Sequence, residues 1–153
     1  MATHDQTGFP HSSARDEDLR DALVQTSYAV IDVIATTAAR NSVSLTLLRV
    51  LAILRDRTPA MSELAAHLGL DKSTITGLIH RAADRGLIRK FDDERDGRSS
   101  RVALTDAGRD LAERCTAEVT RGLDPFFAGL STEQRDQLSG LLNALGAVHD
   151  ERR

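Results

Sequence analysis

Apolar residues recur along this chain at helical spacing in six separate stretches, and one short stretch switches to alternation. From Asp16 to Arg40, Leu19, Leu23, Val30, Ile34 and Ala38 form a helical stripe, and Val24, Ile31, Val33 and Ala35 widen it beyond what one neighbouring helix covers. Such a surface on a terminal helix is expected to be buried against a second chain. Ser44 reads as an N-cap, with Val43 and Leu48 as a hydrophobic staple, opening a helix to about Arg55 that points Leu47, Val50, Leu51 and Leu54 inward. Thr58-Pro59 breaks it. Ser62 is expected to open a short helix ending at Gly69, a residue suited to the left-handed position after a helix. Asp71 caps the next helix, flanked by a Leu70/Ile75 staple. Its Ile75, Leu78, Ile79 and Ala82 follow the i, i+3, i+4, i+7 rule, and Gly86 stops it.

Residues 87–104 then read as strands: Ile88 to Phe91, and Arg101 to Leu104 in alternation, with the turn signal Asp96-Gly97 between them. Thr105 caps a fifth helix expected to run to about Gly122, where Asp124-Pro125 interrupts or kinks it. Ser131-Thr132-Glu133-Gln134 is a capping box for a last helix carrying Leu138, Leu141, Leu142 and Leu145. The expected fold is mainly α with a small β-hairpin wing. The chain divides into a mobile polar tail (1–15), an N-terminal dimerisation helix (16–42), a winged helix-turn-helix (43–104) and C-terminal dimerisation helices (105–153).

Composition narrows the class. Aromatics are 3% of the 153 residues, with no Trp, so the core must be aliphatic. No uninterrupted apolar run approaches the roughly 18 residues of a membrane span, and the N-terminus has no apolar signal core, so a cytoplasmic protein without a membrane partner is expected. The single Cys115 cannot form an internal disulfide. The net charge of −3 argues against a nucleic-acid partner unless positive charge is local. It is local: Lys72 to Arg101 holds eight cations and five anions, +3, against about −6 elsewhere.

That window contains the candidate chemistry. Ala65, Gly69 and Ile75 have the spacing of a helix-turn-helix, in which a small residue admits the second helix, a glycine makes the turn and a β-branched residue fills the space between. At about 100° per residue, the second helix turns Ser73, Gly77, His80 and Asp84 away from its apolar side, flanked by Thr74, Thr76 and Arg81. This slim hydroxylated face can enter a major groove of double-stranded DNA, and the helix N-terminus can offer N–H groups to a phosphate. On the hairpin, Arg98 is placed to enter a minor groove, Asp96 to orient it, and Arg95 and Arg101 to contact phosphates.

From about Ser44 to Gly108 the sequence resembles the MarR family of winged-helix regulators. The most specific match is Asp93-Glu94-Arg95-Asp96-Gly97-Arg98-Ser99-Ser100-Arg101-Val102-Ala103-Leu104-Thr105-Asp106-Ala107-Gly108, similar to the family's D-x-R-[DN]-x-R wing and following L-T-x-x-G. The resemblance implies a homodimer built by the terminal helices, a pseudo-palindromic operator, and release by a small phenolic or other aromatic acid. It assigns the minor-groove arginine to Arg98, its supporting acid to Asp96, and base reading to Ser73, Thr74, Thr76 and Gly77. Gly77 stands where the family often has a larger polar residue.

The resemblance also implies an effector pocket between the dimer helices and the DNA-binding lobe, for which the polar residues Ser27, Tyr28 and Arg49 of otherwise apolar helices are the candidates. His4, His11, His67, His80 and His149 show no metal-ligand spacing, and neither a nucleophile motif nor a phosphate loop occurs, so no metal, cofactor or enzymatic activity is expected. The competing reading is a winged-helix protein-interaction scaffold without DNA function, which duplex binding with sequence preference would separate from a regulator.

Overall fold

The structure, a computed structural model, describes residues 14–92 and 100–151, with side chains as far as 147. Helix α1 (Ala14–Arg40) is followed by α2 (Leu45–Asp56), α3 (Met61–Leu68) and α4 (Lys72–Asp84). Strands β1 (Ile88–Asp92) and β2 (Ser100–Leu104) come next, then α5 (Asp106–Phe127) and α6 (Thr132–Glu151).

Local capping sets most of these boundaries. Ser44 Oγ accepts from the Leu47 N–H (3.1 Å), Asp71 Oδ1 from Thr74 (2.8 Å), and Thr105 Oγ1 from Gly108 (3.0 Å). At α6 the bonds are reciprocal: Gln134 N–H donates to Ser131 Oγ (3.2 Å), and Ser131 N–H to Gln134 Oε1 (2.9 Å). Gly69 (φ +66°) and Gly86 (φ +70°) take the left-handed conformation that ends α3 and α4.

Two boundaries differ from the sequence expectation. Helix α3 begins at Met61, not Ser62, because the Glu63 carboxylate reaches back to the Ala60 N–H (2.8 Å) and secures the entry without a hydroxyl cap. Helix α5 continues through Pro125 to Phe127. A proline removes one N–H from the ladder, and here it does so in the last turn, which closes with Ala128 N–H on Pro125 O (3.4 Å).

The core gathers around α2, whose Val50 and Leu51 are fully buried with Leu64 of α3, Ile79 of α4 and Val102 of β2. The strands pair antiparallel, Ile88 opposite Leu104 and Asp92 opposite Ser100. The α2–α3 connection adds a short third rung, with Ala60 bridging Arg101 and Val102 N–H donating to Pro59 O (3.1 Å). At Gly108 a Cβ would stand 1.9 Å from the Leu87 carbonyl oxygen, so α5 starts pressed against the turn that follows α4. Gly122 admits Val33 in the same way, locking α5 to α1.

Helix α1 corrects one expectation. It holds an 18-residue window of mean hydropathy 1.3, apolar and long enough by composition to cross a membrane. Counting uninterrupted apolar runs missed it because Gln25, Ser27 and Asp32 punctuate the stretch without lowering its average much. Its C-terminal Thr37 and Ala38 are buried in the domain, while Leu19, Leu23, Val24, Tyr28 and Ile31 are exposed. None of the described side chains of α6 is buried, and Leu141, Leu142 and Leu145 face outward.

Candidate nucleic-acid interface

Helix α4 sorts its residues by burial. Ile75, Leu78, Ile79 and Ala82 are buried, Gly77 is half-buried, and Ser73, Thr74, Thr76, His80 and Arg81 are exposed. The exposed polar groups are mostly engaged with one another. Asp71 caps the helix and also accepts the hydroxyls of Ser73 (2.5 Å) and Thr74 (2.6 Å), and those bonds hold its carboxyl far below the usual carboxylate range. Thr76 Oγ1 donates to the Lys72 carbonyl (2.6 Å), and His80 Nδ1 lies 2.9 Å from Asp84 Oδ2. Arg81 differs: its side chain makes no hydrogen bond or ion pair among the described residues, and its Nη1 lies 3.3 Å from the point where a Cβ on Gly77 would stand.

The helix N-terminus is therefore not the open phosphate site anticipated above. The Asp71 carboxylate already takes the Thr74 N–H and places negative charge there. The cationic alternative lies beside it. A cleft of about 540 Å³ between α3–α4 and the wing is lined by Lys72, Lys90, Thr76, Ser62 and Ser100 over an apolar floor of Met61, Ala65 and Ile75. Lys72 and Lys90 were counted in the basic window but not singled out as contacts. The signal was in the strand register: Lys90 pairs with the buried Val102 and so shares the face that packs toward the helices.

Of the wing residues, Arg95, Asp96 and Arg98 lie outside the described residues. Arg101 is half-buried and donates from Nε to the Thr58 carbonyl (2.8 Å), which ties the wing base to the α2–α3 connection rather than leaving the side chain extended toward a phosphate. On the same sheet face, the Arg89 guanidinium stacks 5.2 Å from the Phe91 ring centroid.

A second concavity, about 620 Å³, lies where α1, α2 and α5 meet. Ile31, Ile34, Leu48, Leu51 and Val119 supply apolar walls; Arg49, Arg55, Cys115, Thr116 and Thr120 supply the polar groups. Arg49 is the one anticipated pocket residue among them. Ser27 and Tyr28 are not in the lining: Ser27 Oγ donates to the Leu23 carbonyl (2.7 Å), and Tyr28 is exposed a turn before the cavity. Arg55 was missed. It donates to Thr116 Oγ1 (3.1 Å) and pairs with Asp56 (2.9 Å), a hydrogen-bonded pairing that raises its pKa. Cys115 is buried, and burial, with the nearby Glu118 charge, raises its thiol pKa; a neutral thiol is a poor nucleophile.

Known proteins bear on this geometry. Residues 43–100 match the model of the MarR family. The HTH-type transcriptional repressor IacR of Pseudomonas putida is 34% identical over 99 residues, 63% of this chain and 59% of that protein, so the chain spans less than two thirds of this relative's length. Among solved structures, AbsC, a MarR family transcriptional regulator from Streptomyces coelicolor, superposes with a TM-score of 0.78 at 17% identity over 95% of this chain and 100% of its own. NadR in complex with 4-hydroxyphenylacetate gives a TM-score of 0.72 at 22% identity, covering 92% and 97%. At these identities the structures speak for the fold, among the described residues six helices with a two-stranded wing. Residues 43–100 are thus similar to the MarR family's winged-helix segment, and the chain as a whole shares the fold of these solved structures.

Proposed function

We propose that this protein is a cytoplasmic, homodimeric transcriptional repressor that binds a pseudo-palindromic operator and is released by a small aromatic acid, with no catalytic step of its own. The observation that carries the reading is α4: a helix anchored by four buried apolar residues, whose opposite face is exposed, slim and hydroxylated beside the Lys72–Lys90 cleft. A two-fold pair of such helices would enter successive major grooves about 34 Å apart. Phosphate contacts from the cleft would set the position, and base contacts from the helix would set the sequence.

The exposed apolar residues of α1 and α6 support the dimer, since a soluble chain rarely leaves so many large hydrophobic side chains uncovered. The cavity at α1, α2 and α5 supports an effector with an apolar body and an acidic head, because its walls are aliphatic and its charged groups are the arginines Arg49 and Arg55. Its walls join the outer helices to the DNA-binding lobe, so a bound molecule would bias the distance between the paired reading helices.

The test is a binding titration on duplexes enriched from a random library. The protein should prefer a pseudo-palindrome at moderate salt, and Arg98→Ala should weaken binding and reduce the salt slope by about one contact. Sequence-independent binding would refute the regulator, and an unchanged slope would remove the wing arginine from it.

A further inference from the structure

We infer that Arg81 is the principal base-reading donor of α4 and selects a guanine, and that Gly77 serves as its positioning residue by having no side chain. This rests on the DNA-binding reading above and names the specificity determinant within it.

The argument begins with spent donors. The Ser73 and Thr74 hydroxyl hydrogens are committed to Asp71, that of Thr76 to the Lys72 carbonyl, and the His80 Nδ1 side to Asp84. On the outward face of α4, Arg81 keeps its full set of donors, whereas Lys72, whose ammonium also has no bond among the described residues, stands at the first turn and lines the cleft. Helical side chains lean toward the N-terminus, so residue i+4 overlies residue i. Arg81 follows this rule and lies over Gly77, its Nη1 3.3 Å from the missing Cβ position. The guanidinium is thereby carried one turn toward the end of the helix that enters the groove. A glycine in mid-helix is otherwise unfavourable, and here it vacates the surface that the guanidinium occupies. An arginine fork matches the O6 and N7 acceptors of guanine in a bidentate pair, a pattern that no other base offers.

The experiment is selection from a randomised duplex library with the full-length wild type, Arg81→Ala, Arg81→Lys, Gly77→Ala and the Gly77→Ala/Arg81→Ala double variant. Affinities are then measured on the wild-type consensus and its single-base variants. The wild type should select a guanine at one position of each half-site. Arg81→Ala should lose that preference alone, with a penalty of roughly 5- to 150-fold on the consensus, while Arg81→Lys should retain part of the affinity but not the bidentate selectivity. Gly77→Ala should fold with a raised melting temperature and show a weakened guanine preference. In the Arg81→Ala background the same Gly77→Ala change should have no further effect on that preference.

A uniform loss across all sequences on Arg81→Ala, with a reduced salt slope, would make the residue a phosphate contact and overturn the inference. Equal effects of Gly77→Ala in both backgrounds would overturn the positioning role. A wild type that selects no sequence would instead overturn the regulator reading itself, taking this inference with it.

Discussion

Replacing Leu141 by aspartate tests the proposed dimer at its most exposed point. Within one chain Leu141 is 65% exposed, and Leu142 and Leu145 on the same side of α6 are 50% and 56% exposed. Complete burial of a leucine side chain is worth about 1.5–3 kcal/mol, so covering the exposed portion of Leu141 would contribute roughly 1–2 kcal/mol per chain. Two-fold symmetry places the substitution in the interface twice, giving about 2–4 kcal/mol per dimer. At 1.4 kcal/mol per factor of ten, the dimer dissociation constant should rise about 30- to 700-fold. The aspartate would also have to shed water, so this range is a lower bound. Sedimentation velocity over a dilution series reads the shift directly. Circular dichroism should show reduced helicity at dilution, because an isolated amphipathic helix is marginal in water. Asn143→Asp, about 200° around the helix from Leu141, is the control and should leave the dimer intact. A Leu141→Asp protein that sediments as the wild type does would refute the assignment of this face.

Three further outcomes follow from local geometry. Gly108→Ala should cost about 3 kcal/mol, near the upper end for overpacking, because its Cβ, fixed rigidly to the main chain, would meet the backbone carbonyl oxygen of Leu87 at 1.9 Å; an unshifted urea midpoint would contradict this. Asp71 has a folded-state pKa depressed by the Ser73 and Thr74 hydroxyls. Its contribution to stability is therefore complete above the unfolded value of about 3.9 and is lost as pH falls through the lower folded value. Thermal melts from pH 5 to 2 should fall more steeply for the wild type than for Asp71→Asn, and parallel curves would dismiss the cap as the cause. Arg49→Gln should weaken a carboxylate-bearing effector about tenfold, a charge-assisted bond discounted for its exposed setting. It should leave uncharged analogues and effector-free operator binding unchanged, as calorimetry and competition titrations would show.

What could be read from the sequence was what is decided within a few residues. Ser44, Asp71, Thr105 and Ser131 bond to an amide three positions on, and Gly69 and Gly86 adopt the conformation their type allows, so caps and stops were legible. Glu63 shows the limit of that reading: the carboxylate half of a capping box was present, but Ala60 carries no hydroxyl to advertise it. The pocket was less legible for a different reason. Ser27, Tyr28 and Arg49 stand out as polar residues in apolar helices, but the cavity forms at Ile31 and Ile34, where α1 crosses α2 and α5. The Arg55–Thr116 bond spans 61 residues, and nothing near either residue signals the other. Likewise the rung that joins Pro59 and Ala60 to β2 is a long-range pairing without a local strand pattern.

The internal bonding of α4 also bears on the contact with DNA proposed for it. A hydroxyl whose hydrogen is committed keeps its lone pairs, so in the proposed complex Ser73, Thr74 and Thr76 would meet a base edge as acceptors, suited to the amino groups of adenine or cytosine. Donation falls to Arg81 and to the lysines of the adjoining cleft. Because Asp71 fixes two of those hydroxyls before any ligand arrives, that part of the surface has little conformational entropy left to lose on binding. The long side chains of Arg81, Lys72 and Lys90 still carry theirs. The rigid acceptors therefore favour exact register over gross affinity, whereas the mobile lysines supply attraction at a larger ordering cost. Disrupting the cap should on this account blur sequence preference more than it weakens binding to arbitrary duplex, the reverse of what removing Lys72 or Lys90 should do.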